Sequence, residues 1–151
     1  MIQTLDNILE NAVNMTVFME TPIVDKSNKL KALRDTVTFK LSDGTLISIK
    51  EGFIWDEASI PWILQWAFPK SGIYAFSSLL HDALYYSVYK SQKFADKEFE
   101  LWMKSFNIKK WQRLFRYYAV RLFGFIYYRK NLNNPSERCL NNRKCIIIHK
   151  P

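Results

Sequence analysis

Four side chains with acid–base chemistry lie close together in the segment from Ser77 to Phe99. His81 is followed directly by Asp82, Tyr85 comes one helical turn later, and a second aspartate, Asp96, follows further along the chain. A carboxylate bonded to an imidazole fixes its tautomer and stabilises its protonated form, which leaves the other ring nitrogen to take a proton from water. These residue types are those of a general base with an orienting acid.

The helical periodicity of the segment places these groups on two neighbouring helices. At about 100° per residue, His81 and Tyr85 share one face of a helix predicted from Gly72 to about Lys90. A second helix is predicted from Ser91 or Gln92 to about Phe106, and Asp96 lies on its apolar stripe. Antiparallel packing would set Asp96 opposite His81, with the Tyr85 hydroxyl donating to the same carboxylate.

The remaining aspartates are candidate cation ligands. Asp82 lies on the flank of the His81 face and could hold a hard ion such as calcium, which prefers carboxylate oxygen. Asp56 is a second candidate ligand, although a turn or cap role is the simpler explanation for it, and Ser59 is interpreted as a helix N-cap. A purely structural interpretation also stays open for His81 and its aspartates, because a satisfied polar network can fix helix register.

The pattern HDxxY, followed by AD on the next helix, resembles the catalytic helix pair of phospholipases A2, especially the disulfide-free form in parvovirus minor capsid proteins. The resemblance implies that His81 is a general base, that Asp82 binds calcium and that Asp96 orients the histidine. It also implies that Tyr85 is a supporting hydrogen-bond donor. The glycine-rich calcium loop of those enzymes has no counterpart here, since the corresponding interval reads PWILQ, from Pro61 to Gln65.

A longer resemblance joins several blocks of the chain. In order they are GFIWDEASIP, a proline-containing connection, LLHDALY, FADKEF and a basic aromatic helix ending YYAVRLFG. From about Thr36 to Arg129 these blocks resemble the phage-associated family called domain of unknown function 1353. The resemblance implies a phage or prophage origin without an established activity. It also implies one cluster of side chains, made of Asp56, Ser59, Pro61, His81, Asp82 and Asp96.

The predicted fold is α+β and mainly α. The stretches TVTFKL and TLISIK flank Ser42, Asp43 and Gly44, and their alternation predicts a small β-hairpin. A compact bundle of three antiparallel helices follows, the third from Lys109 to about Lys130. Weak periodicity over residues 3–14 predicts an N-terminal helical arm, and a C-terminal tail is predicted to be irregular, with CIIIH as a candidate short edge strand.

The predicted organisation is a single globular domain with two extensions. The arm covers residues 1–34, the domain covers residues 35–130 and the tail covers residues 131–151. In the tail, Cys139 and Cys145 lack both the spacing of a zinc site and the density of a disulfide scaffold. A structural disulfide between them is therefore not predicted.

The third predicted helix is basic and amphipathic. Its apolar side carries Leu114, Tyr118, Leu122, Phe125 and Ile126. The simplest arrangement packs this side on the two preceding helices and leaves the basic edge open to phosphate or carboxylate groups. A nucleic acid or a membrane surface are alternative partners for that edge. The candidate anion- or partner-binding residues are Lys109, Lys110, Arg113, Arg116 and Arg121.

Charge is concentrated in the last third of the chain. Residues 1–103 hold 10 Lys and Arg against 13 Asp and Glu, giving −3, whereas residues 104–151 hold 12 against 1, giving +11. This asymmetry favours an anionic partner. The 48% hydrophobic content favours a folded chain over a disordered one, and no stretch is long and uninterrupted enough to predict a transmembrane helix. The N-terminus carries acidic residues and does not resemble an export signal.

Two functions are compatible with these patterns. The first is a bacteriophage virion component, in a tail or head–tail assembly, which docks on other phage structural proteins through its basic helix and termini. It would be found in the virion or the host cytoplasm. The alternative is a hydrolase of lipid esters or of peptide or amide bonds, which uses a His81–Asp96 dyad with Asp82 or Asp56 holding a cation. Nucleic-acid binding is a third hypothesis.

Overall fold

The computed structural model describes residues 2–3, 19–22, 30–56, 74–133, 139 and 144–150. The predicted helix over residues 3–14 lies outside these ranges except for Gln3, which belongs to a strand rather than a helix. Ser59 and Pro61 also lie outside them. Within the described residues the protein has a mixed α+β fold in which helices predominate, as the sequence predicts.

Seven short strands in the described residues form two sheets. In chain order they are β1 (Ile2–Gln3), β2 (Met19–Pro22), β3 (Leu30–Leu33), β4 (Val37–Lys40), β5 (Leu46–Ile49), β6 (Ile54–Asp56) and β7 (Ile146–His149). One sheet has the order β1-β4-β5-β7 and the other β2-β3-β6. Neighbouring strands are antiparallel except β1 and β4, which are parallel.

The predicted hairpin is confirmed as β4 and β5. Phe39 pairs with Ile47, and both side chains are fully buried. Gly44 closes the turn with a φ of 85°, a conformation that favours glycine. The Asp43 carboxylate accepts the Thr45 backbone N–H at 2.9 Å, which satisfies a donor within the turn.

In the described part, three helices lie between β6 and β7: α1 (Tyr74–Ser87), α2 (Gln92–Ser105) and α3 (Lys110–Asn133). The connection between α1 and α2 is tight because Val88 and Lys90 adopt φ values of 50° and 59°. The first helix therefore ends before the predicted Lys90. Ser91 caps α2 by accepting the Phe94 N–H at 3.2 Å, as its position in the sequence indicates.

The core lies between the hairpin sheet and the helices. Phe39 packs edge-on against Trp102 of α2, with ring centroids 4.9 Å apart, and against Phe76 of α1 at 6.2 Å. The hairpin turn is tied to α2 because Ser42 donates from both its backbone N–H and its hydroxyl to the buried Glu98 carboxyl group. These contacts pack α1 and α2 against the hairpin.

The C-terminal segment differs from the predicted irregular tail. β7 pairs with β5 along four residues, and Cys145 and Ile146 are buried against the core. The candidate edge strand in CIIIH is thus confirmed. Cys139 and Cys145, whose spacing did not predict a disulfide, form one with Cα atoms 6.0 Å apart. A spacing of six residues does not by itself distinguish two disulfide-bonded cysteines from two free ones.

Helix α3 packs with the opposite face to the one predicted. Its inner face, defined as Arg113, Arg116, Arg121, Gly124, Tyr128 and Asn131, lies against α1 and α2. Its outer face, defined as Trp111, Leu114, Tyr118, Leu122, Phe125 and Ile126, is exposed. The expectation that the apolar side would be buried was therefore wrong. Acidic side chains on α2 draw the arginines inward instead.

Candidate active site

His81 and Asp96 form the contact that the helical spacing predicts. His81 Nε2 lies 2.8 Å from Asp96 Oδ1, across the interface between the antiparallel helices α1 and α2. Asp96 is fully buried and His81 is 7% exposed. A carboxylate in such a position is costly unless its oxygens accept hydrogen bonds, so its remaining partners decide whether the pair is stable.

Asp96 accepts two further hydrogen bonds. The Tyr85 hydroxyl donates to Oδ1 at 2.6 Å, as predicted, and Arg121 Nη1 donates to Oδ2 at 3.1 Å. The Arg121 guanidinium also balances the charge of the carboxylate. Three elements therefore converge on one buried acid, with α1 supplying the imidazole and the phenol and α3 supplying the cation.

Tyr85 serves as a donor because its hydroxyl stays protonated. Burial, followed by the negative charge of Asp96 and the hydrogen bond to it, raises the pKa of Tyr85 well above its usual value. Gly124 of α3 makes the close approach possible, since a Cβ atom there would lie 2.5 Å from the Tyr85 hydroxyl oxygen. A glycine at this position is thus required by the geometry of the site.

Aromatic rings hold the imidazole of His81 in place. Its ring centroid lies 4.1 Å from that of Tyr85 and 4.9 Å from that of Phe99. The second ring nitrogen, Nδ1, lies 4.0 Å from Asp82 Oδ1, which is beyond hydrogen-bonding distance. Among the described residues Nδ1 has no hydrogen-bond partner. The ring is thus fixed through one nitrogen, and the other faces the side of Asp82.

The predicted cation ligands do not form a calcium site within the described residues. Asp82 is partly exposed beside His81, and Asp56 is the last residue of β6, with its side chain outside the described part. No cluster of three or more His, Cys, Asp or Glu side chains suited to a metal ion occurs among the residues that the structure describes. Calcium takes six to eight oxygen ligands, so Asp82 alone does not fit it.

The residues of the predicted basic edge of α3 differ in exposure: the lysines at its start face solvent, whereas the arginines pack against other parts of the protein. Lys109 and Lys110 are exposed, as expected. Arg113 is instead half-buried, with its Nε 3.4 Å from Glu100 Oε1. Arg116 is only 1% exposed and lies 3.4 Å above the Tyr74 ring, so the expectation that it would be open to an anionic partner was wrong. Burial lowers the pKa of Arg116 to about 10.

Arg121 makes a contact inside the protein that the sequence analysis did not predict. It was placed among residues that bind an external anion, whereas its carboxylate partner is Asp96. The sequence contained an indication of this contact, because an aspartate on the apolar stripe of a helix needs a cation or several hydrogen-bond donors beside it. Gly124 was missed altogether, since a single glycine inside a helix does not reveal which side chain it accommodates.

The fold and site define a small α+β protein with a buried imidazole–carboxylate pair between two antiparallel helices. The family described as a protein of unknown function (DUF1353) matches residues 32–120, which is more than half of the chain, and the chain belongs to this family. The matched range includes His81, Tyr85 and Asp96. Neither the curated proteins nor the solved structures gave a match to the chain.

Proposed function

We propose that this protein is a hydrolase whose general base is His81. The observation that carries the proposal is the fixed orientation of the imidazole, with Nε2 bonded to buried Asp96 and Nδ1 left without a hydrogen bond among the described residues. A carboxylate that accepts from Nε2 places the neutral ring's proton there, so the lone pair is on Nδ1. That nitrogen lies on the side of Asp82, with Nδ1 4.0 Å from Asp82 Oδ1.

The proposed step is the activation of water. Nδ1 takes a proton from a water molecule while the water oxygen attacks the carbonyl carbon of an ester or amide. His81 becomes an imidazolium, which Asp96 stabilises through Nε2. The proton then passes to the leaving group as the bond to the carbonyl carbon breaks, and His81 returns to its neutral form.

Tyr85 and Arg121 support this step through Asp96. Both donate to the carboxylate, which fixes its orientation toward His81, and the Arg121 guanidinium balances its charge. They are positioning residues because their contacts are with Asp96. The proposed role of His81 requires no metal ion, and Asp82 would face the reacting water as a polar neighbour.

The proposal is tested with ester, phospholipid and peptide substrates, each assayed with and without calcium. The full chain should hydrolyse one of these classes, and His81→Asn should slow turnover by about 100-fold to 10,000-fold, the usual contribution of a general base. Circular dichroism should show that the variant remains folded. His149→Gln is the matched control, because His149 is the other histidine of the chain and lies exposed on β7.

Two results would oppose the hydrolase proposal. One is an unchanged rate in the folded His81→Asn variant, which would place the base elsewhere. The other is the absence of hydrolysis in every substrate class under both conditions. In that case the buried network would be structural.

A virion component is the second candidate function, and the exposed outer face of α3 favours it. Such a face could dock on another phage structural protein. The basic edge supports this role less than expected, since Arg113 and Arg121 pair with acids of α2. The structural role predicts that particles assemble normally with His81→Asn and fail to incorporate variants of the outer face.

A further inference from the structure

The exposed apolar surface of the described residues is concentrated on one helix. In the described part of the chain, every large hydrophobic side chain that is exposed belongs to α3. On the outer face, Trp111 is 57% exposed, Leu122 is 65% exposed and Ile126 is 59% exposed. Scattered surface hydrophobics are ordinary, but a contiguous stripe along a helix marks a binding surface.

The charges around this stripe are all positive within α3. The helix contains no acidic residue. Lys109 and Lys110 are exposed at its beginning, and Arg129 and Lys130 are exposed near its end. The arginines of the inner face, by contrast, are engaged with α1 and α2. The outer face thus combines an apolar stripe with exposed cations at both ends, of which Arg129 lies over the Phe125 ring.

This combination argues against a second copy of the chain as the occupant. Two outer faces packed together in either direction would bring the lysines and arginines at the helix ends close to one another. Like charges of this kind oppose association, and the chain as a whole carries +8. The occupant must therefore offer apolar contact and negative charge together.

We propose that the outer face of α3 binds an anionic lipid bilayer surface. The helix has 24 residues and is about 36 Å long, so it would lie in the plane of the interface with its apolar stripe at the acyl boundary. Trp111, Tyr118 and Phe125 supply the aromatic rings that favour this depth. The flanking lysines and arginines would meet the lipid phosphates. No helix in the described residues is long and apolar enough to span a membrane.

The two faces of α3 would then have separate tasks. The inner face holds Arg121 against Asp96 and Gly124 against Tyr85. The outer face is on the opposite side of the same helix, so lipid binding requires no rearrangement of the His81 network. Lipid binding is therefore independent of hydrolysis, and the two proposals can fail separately.

Co-sedimentation of the full chain with vesicles tests this proposal. The protein should bind phosphatidylcholine vesicles that contain phosphatidylglycerol, and bind vesicles of phosphatidylcholine alone much more weakly. Trp111 should report the contact through a blue shift of its fluorescence, and Trp111→Phe should lose that part of the signal. Binding should weaken as salt is raised, since the exposed cations contribute.

Two double variants separate the apolar and electrostatic parts of the surface. Leu122→Gln with Ile126→Gln should abolish binding while leaving the fold intact, because both side chains are exposed. Lys109→Gln with Lys110→Gln should weaken binding by about 30-fold, from the usual contribution of a basic residue near an anionic surface. Lys40→Gln with Lys50→Gln is the matched control, since it removes the same charge from exposed positions on the sheet side.

Several outcomes would overturn the proposal. The first is equal binding to neutral and anionic vesicles, or to neither. The second is unchanged binding in the folded Leu122→Gln and Ile126→Gln variant. The third is a failure to bind vesicles together with a dimer, measured by light scattering, that the same variant dissociates. That third result would assign the outer face to a second copy of the chain.

Discussion

At the scale of single residues, Asp96 is the side chain on which the site depends. It has no solvent exposure, and among the described residues its donors are His81, Tyr85 and Arg121. Removing a donor from a buried carboxylate leaves that acceptor unsatisfied, which costs more than a typical hydrogen bond contributes. The geometry of His81 and the stability of the helix packing are therefore linked through one group.

Gly124 gives a prediction at the residue scale: replacing it by alanine should lower the stability of the protein, whereas this change in a helix usually raises it. Replacing a glycine inside a helix by alanine normally stabilises the helix by up to about 1 kcal/mol. Here the new Cβ atom would lie 2.5 Å from the Tyr85 hydroxyl oxygen, so Gly124→Ala should instead destabilise the protein by about 1–3 kcal/mol. Urea denaturation measures the change in the free energy of unfolding.

The control for this prediction is a double-mutant cycle with Tyr85→Phe. That change removes the oxygen atom that the new Cβ would meet, and leaves ring carbons 3.2 Å away. Gly124→Ala should therefore cost less in the Tyr85→Phe background than in the natural chain. Equal costs in both backgrounds would show that Gly124 does not accommodate the Tyr85 hydroxyl.

The contact between His81 and Asp96 was predictable because it depends on local periodicity. Both residues lie on the buried stripes of helices that are joined by a short connection, and this restricts their relative position. The role of Arg121 depends on how a third helix docks. The chain alone does not set the rotation of that helix, so its partner could not be identified by spacing.

At the scale of elements, α3 shows the limit of amphipathic patterns. The sequence correctly divides the helix into an apolar and a basic side but does not say which side faces inward. The outcome depends on α2, where Asp96 and Glu100 are buried and attract Arg121 and Arg113. Pairing these buried acids outweighs burial of the apolar side of α3, and that side is left exposed.

The hydrogen bonds that attach the hairpin turn to Glu98 of α2 predict how the stability of the protein changes with pH. Burial raises the pKa of Glu98, and the nearby negative charge of Asp43 raises it further. The hydrogen bonds from Ser42 and the positive charge of Lys90 lower it, but the net shift is upward. Because the pKa of Glu98 is higher in the folded protein, its protonated form stabilises the fold, and this stabilisation is complete at pH values below 4.5, the usual pKa of the group. This contribution is lost as the pH rises through the higher value of the folded state.

Glu98→Gln should remove this dependence. The amide can still accept the hydrogen bonds from Ser42 but does not ionise, so the variant should gain stability relative to the natural chain as the pH rises toward neutrality. Thermal unfolding across this range measures the difference. Glu51→Gln is the matched control at an exposed position and should show no such trend. A constant difference between Glu98→Gln and the natural chain would contradict the burial argument.

At the scale of the whole molecule, the sequence predicted the centre of the fold better than its edges. The hairpin and three helices have strong local patterns, and they are confirmed. The strands β2 and β3 were missed because METP and LKAL do not alternate clearly and pair only within a small sheet. The pairing of β7 with β5 joins residues that are far apart in the chain, which no local pattern specifies.

The family of the chain was also predictable, since its ordered blocks extend from the hairpin into α3. The match over residues 32–120 confirms it. Function is a separate question, because one fold supports many activities and the chemistry belongs to the site. The hydrolase proposal depends on how His81 is oriented, and the lipid proposal depends on the outer face of α3. The two can be examined independently on the same molecule.

The most direct test of the proposed site is the tautomer of His81, measured by nitrogen-15 NMR of the imidazole at a pH where the ring is neutral. The chain has two histidines, so His149→Gln assigns the signals. We predict a proton on Nε2, facing Asp96, and a lone pair on Nδ1, available to water. A proton on Nδ1, with Nε2 unprotonated, would contradict the orientation of His81 by Asp96 and the general-base role built on it.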